Sequence, residues 1–110
     1  DVAYIQIRSS NNNSGIVSTT TAGKVAKVTV TWNTKTSSGR TLQVYGNSSA
    51  YAVPADLYDT AKQGNKLGEL VYNGTDTVTE LTVTGNTTYI GMRSASGAMY
   101  IDKIEITWAE

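Results

Sequence analysis

The side chains best suited to gripping a ligand are tyrosines and arginines that recur at every second position. Tyr4, Gln6 and Arg8 project together along 2–9, and Tyr89 and Arg93 flank Gly91. Gln43–Tyr45 and Tyr100–Asp102 add two more tyrosines of polar parity. Aromatic rings stack on the apolar C–H face of a pyranose, while Arg, Gln and Asp bond to its hydroxyls. Gly91 would leave a shallow floor between an aromatic wall and a guanidinium. Two plainer uses stand beside this one. Tyr and Arg cover one another on solvated sheet faces, and the same alternation also suits a second small core.

Catalytic chemistry is poorly represented. The chain has no His and no Cys, so the usual general base and the thiol nucleophile are missing. Zero Cys also excludes a disulfide scaffold and a zinc-thiolate site. A pair of carboxylates can hydrolyse glycosides, but Asp56, Asp59, Glu69, Asp76 and Glu80 follow no shared motif. No glycine loop precedes a helix in the manner of a phosphate cradle. The expectation is a domain that is not an enzyme.

Other candidates need weighing one by one. Trp32 and Trp108 fall on the apolar parity of their strands, which predicts core or rim rather than stacking platforms. Tyr51, Tyr58 and Tyr72 lie in loops, where sandwich binding sites commonly sit. Glycosylation sequons at Asn12, Asn47, Asn73 and Asn86 are expected in so Asn- and Thr-rich a chain. Asp102 offers a carboxylate on irregular backbone, which suits calcium; the competing role is a surface partner for Lys103 or another neighbour.

The elements that position these residues are strands. The chain is biased toward Thr, Val and Tyr, and the single Pro and ten Gly punctuate short segments, a composition that favours an all-β sandwich or barrel. Period-2 alternation predicts strands at 2–9, 24–32, 40–46, 67–72, 78–84, 88–94 and 98–108. The segment 54–64 has the length for one short helix or a structured loop. At 110 residues the chain, 1–110, reads as one domain. Nine basic and nine acidic residues give no net charge. That balance leaves no footprint for nucleic acid or an acidic membrane, and no apolar run reaches transmembrane length.

Two features mark the last strand. Residues 4–32 (YIQIRS…SGIV…KVTVTW) are echoed by 89–108 (YIGMRS…SGAMYIDKIEITW). The echo predicts two similar strand–turn–strand units that pair as neighbours. Met99 and Ile101 share one parity, whereas Ile104, Ile106 and Trp108 share the other, so an extra residue near Asp102 or Lys103 predicts a β-bulge.

The stretches RTLQVYG, KLG and RSASGAMYIDKIEITW resemble a module repeated in secreted and surface proteins of gut Bacteroidetes. The resemblance covers nearly the whole chain. More remotely, YIDKIEI is similar to the terminal strand of galactose-binding-like jelly rolls, including the family-six carbohydrate-binding modules. Tyr100 stands where those modules usually carry Asn. The resemblance implies a jelly-roll β-sandwich of two antiparallel sheets, bacterial and secreted or displayed at the cell surface. It also implies a structural calcium ion at Asp102; no cofactor is otherwise required.

The leading expectation is a monomeric, non-catalytic carbohydrate-binding module that holds a linked catalytic domain or surface protein on polysaccharide. Tyr4, Gln6, Arg8, Tyr45, Tyr89, Arg93 and Tyr100 would contact the glycan. The competing readings are a structural or adhesive spacer without a small ligand, and an accessory domain of a secreted hydrolase or nuclease.

Overall fold

Alternation of Val, Ile, Leu and Met with Thr, Lys and Glu builds eight strands in the computed structural model, which describes residues 5–7, 14–18, 23–95 and 97–109. They are β1 (Ile5–Ile7), β2 (Ile16–Val17), β3 (Val25–Trp32), β4 (Thr41–Asn47), β5 (Asn65–Val71), β6 (Val78–Thr82), β7 (Tyr89–Ser94) and β8 (Met99–Trp108). A 3-10 helix, Pro54–Tyr58, lies between β4 and β5. The predicted strands are all present, and the short β2 is an addition.

The strands form two antiparallel sheets, β1-β8-β3-β6 and β2-β7-β4-β5. Pairing is nested: β1 with β8, β2 with β7, β3 with β6 and β4 with β5. Successive pairs alternate between the sheets, as one long hairpin would if it were rolled up around its tip at 48–64. Contacts β3–β8 and β4–β7 complete the sheets. Because strand directions alternate, segments 48–64 and 83–88 gather at one end of the sandwich. Segments 33–40 and 72–77 gather at the other.

Between the sheets lie Val28, Val30, Trp32, Leu42, Val44, Leu70, Ile90, Met92, Met99 and Ile101. Each such side chain contributes about 1.5–3 kcal/mol by leaving water. Trp32 is 1% exposed; its indole N–H donates to Thr79 Oγ1 at 2.9 Å, and its ring lies 5.8 Å from that of Tyr72. Trp108 packs against this core from its rim. Both tryptophans therefore take the apolar roles their parity predicts.

The bulge is where the phase change placed it. Thr31 pairs with Lys103 but Trp32 pairs with Ile101, so Asp102 is the extra residue. The echo behaves differently from expectation. Its matching strands β3 and β8 do pair, but β1 and β3 share one sheet whereas β7 and β8 lie in different sheets. Similar sequences thus serve dissimilar connections, because the turn after β7 crosses the sandwich.

Candidate functional site

On the outer face of the β2-β7-β4-β5 sheet, register brings Gln43 opposite Arg93 and Tyr45 opposite Gly91. The register therefore brings three of the candidate contacts, Tyr45, Tyr89 and Arg93, onto one patch with Gly91. The loop 48–64 folds across that patch. Leu57, fully buried, occupies the space over Gly91, where a Cβ would collide with its side chain. Tyr45, Tyr51 and Leu57 form a second apolar cluster with Val17, Tyr58 and Tyr89 packed around it. This corrects the expected shallow floor: Tyr45 is only 5% exposed, and the aromatic wall faces a packed loop.

Arg93 is the fastener of this cluster. Its Nε donates to Gln43 Oε1 at 2.9 Å, Nη1 to the Leu57 carbonyl at 3.0 Å and Nη2 to Tyr45 Oη at 3.0 Å. The guanidinium lies 4.7 Å from the centre of the Tyr58 ring and 5.1 Å from that of Tyr45, within cation–π range. Tyr58 Oη donates to the Ser14 carbonyl at 2.9 Å, and Tyr51 Oη to the Gln63 carbonyl at 2.8 Å. Burial, then Asp56 and Tyr45, push the Tyr51 phenol up to about 12. Burial also raises Tyr58, against the pull of Arg93. Asp56 fixes the loop from within: Oδ2 accepts the N–H groups of Ala52 and Val53 at 2.8 and 3.4 Å.

Of the other predicted contacts, Tyr100 does not join this patch. Tyr100, half-buried in the other sheet, has the Lys35 ammonium 6.0 Å from its ring centre. The Gln6 backbone pairs with Tyr100, while Tyr4 and Arg8 lie outside the described residues. Tyr72 is buried in the main core. Asn73 is tied up within its own turn, accepting from Thr75 and Asp76 and donating to Asp76.

Asp102 Oδ1 accepts the Asn33 side-chain amide at 2.9 Å, and Lys103 pairs instead with Glu105 at 3.6 Å. Calcium takes six to eight oxygens, several of them usually carboxylate. Among the described residues no three metal-ligating side chains converge. One exposed carboxylate already bonded to an amide does not fit a structural calcium ion. The other carboxylates are similarly engaged. Glu69 meets Lys66 and Gln43, whose bonds hold its carboxyl below the ordinary value, and Glu80 meets Lys27.

Open space lies instead at the end of the sandwich carrying 48–64 and 83–88. A cleft of about 220 Å³ is lined by Gly46, Asn47, Ser48, Asn65, Asn86 and Thr87. A broader one of about 450 Å³, sharing Asn47, runs along Ser49, Ala50, Ala52, Asp56, Ala61 and Lys62. The walls are pinned by backbone bonds from Thr88 N–H to the Asn47 carbonyl (3.2 Å) and from Val25 N–H to the Thr87 carbonyl (2.8 Å). Asn47 Oδ1 accepts the Ser48 N–H at 2.8 Å. Among the described residues no hydrogen bond engages the side-chain amides of Asn65 or Asn86. The sequence signal for this cleft was three asparagine-bearing turns, YGNSS, QGN and TGN, which strand alternation delivers to one end.

Comparison with protein-family models, with curated proteins and with solved structures gives no match for this chain.

Proposed function

We propose that this domain is a non-catalytic carbohydrate-binding module of jelly-roll type, binding glycan at the loop end of its sandwich. The observation that carries the reading is the meeting of Asn47, Asn65 and Asn86, from three separate segments, on one pinned cleft. Amides and hydroxyls match the alternating donors and acceptors of a polyol. The nested strand order supports the jelly-roll assignment, since that fold is a rolled double strand of two Greek keys. A shallow polar cleft gives modest affinity alone, and linkage to a second domain raises it by local concentration. On this reading the chain serves a secreted or surface-displayed bacterial protein, tethering a linked enzyme to polysaccharide. A glycan-array screen of the isolated domain tests it: saturable binding to at least one polysaccharide is expected, and binding to none overturns it.

A structural spacer is the second reading. It is favoured by the fate of the aromatic rings: Tyr45, Tyr51 and Tyr72 are buried and Tyr58 covers Arg93. The same screen separates the two.

A further inference from the structure

Resting on the carbohydrate-binding reading, we infer that the cleft between Asn65 and Asn86 takes a single uncharged sugar ring, held by those two amides without aromatic stacking. Three observations lead there. The first is charge. Among the described residues lining this cleft there is no ionisable side chain, whereas carboxylate and sulfate groups are recognised by Arg or Lys. Lys62 lines the adjoining cleft.

The second is size. About 220 Å³ is less than the roughly 300–1,000 Å³ of clefts that bury drug-sized ligands, so the space suits one ring rather than a run of several. The third is the state of the amides. Asn47 spends its oxygen on Ser48 and Ser49 and its N–H on the Lys62 carbonyl. The side-chain amides of Asn65 and Asn86 are engaged by no described residue. A carboxamide offers a donor and an acceptor side by side, which matches two adjacent hydroxyls of one ring. Specificity then resides in Asn65 and Asn86, with Asn47 fixing the wall.

Affinity electrophoresis through gels containing mannan, galactan, glucan or polygalacturonate tests this, with free methyl glycosides as competitors. Wild-type protein should be retarded by a neutral gel and released by millimolar concentrations of one neutral methyl glycoside. The Asn65→Ala/Asn86→Ala double variant should lose at least about tenfold in affinity, the value of one to two hydrogen bonds. Lys62→Ala should change little, and unchanged melting of both variants certifies their folding. Retention by polygalacturonate alone, abolished by Lys62→Ala, overturns the uncharged class while leaving glycan binding intact. Release by oligosaccharides but by no methyl glycoside overturns the single ring. Undiminished binding by the double variant overturns the cleft. Retention by no gel removes the carbohydrate-binding reading itself.

Discussion

The Arg93 guanidinium lies 4.7 Å from the centre of the Tyr58 ring while its Nη1 holds the carbonyl of Leu57, one residue earlier. One side chain of β7 thus clasps the loop 48–64 by its ring and by its backbone. The loop in turn forms a wall of both open clefts through Ser48 and Lys62.

Arg93→Lys should therefore be costly despite keeping the charge. An ammonium cannot span Gln43, Tyr45 and the Leu57 carbonyl, nor stack flat on Tyr58. We expect a loss of about 2 kcal/mol, read by urea unfolding. Limited proteolysis should cut faster within 48–64. Equal stability and equal protection would remove Arg93 from the role of clasp.

Gly91→Ala places a methyl group against Leu57. Overpacking of this kind costs about 1–3 kcal/mol. The double variant Gly91→Ala/Leu57→Ala should lose less than the sum of the two single variants, because the collision is absent. Strict additivity in that cycle would mean that the two residues do not meet.

Tyr51 ties stability to alkaline pH. Its folded-state pKa of about 12 lies above the ordinary tyrosine value, so the fold favours the neutral phenol. That contribution is fully present below about pH 10 and is lost as pH rises through 12. A raise of this size corresponds to about 2–3 kcal/mol. Unfolding free energies measured from pH 8 to 12 should fall across that window for the wild type. Tyr51→Phe should fall less steeply, after starting about 1 kcal/mol lower because the Gln63 carbonyl loses its donor. Parallel curves would contradict the assignment.

The sheets were legible in the sequence because one face of each strand is apolar. Val28, Val30 and Trp32 share the apolar parity of their strand, and the parity switch after Ile101 called for an extra residue near Asp102 or Lys103, which the register places at Asp102. What covers the other face is a different kind of information. Alternation put Tyr89, Gly91 and Arg93 on one face of a single strand and Tyr45 on the polar face of another, yet nothing local says that these strands pair or that Leu57 will lie on them. That contact depends on a loop folding back over its own sheet, and a tyrosine on a polar face reads the same whether it meets sugar or Leu57. The cleft was hidden for a related reason: Asn47, Asn65 and Asn86 are far apart in sequence and share no periodic pattern.

Asp102 should behave as a surface residue. Its partner is an amide on an exposed turn, so Asp102→Asn is expected to change stability by less than about 0.5 kcal/mol. Calcium or a chelator should leave the melting temperature unmoved. A bound ion at one hundred times its dissociation constant would instead add about 2.7 kcal/mol, and a melting rise of that size would reinstate the metal.

The most direct measurement is a backbone-amide NMR titration of the isolated domain with the glycan that an array screen selects. Binding at the loop end predicts saturable shifts at Gly46, Asn47, Ser48, Asn65, Asn86 and Thr87, with Tyr100 and Asp102 unchanged. Shifts centred on Tyr100 and Lys35, or on Tyr89 and Arg93 with release of the loop 48–64, would contradict it.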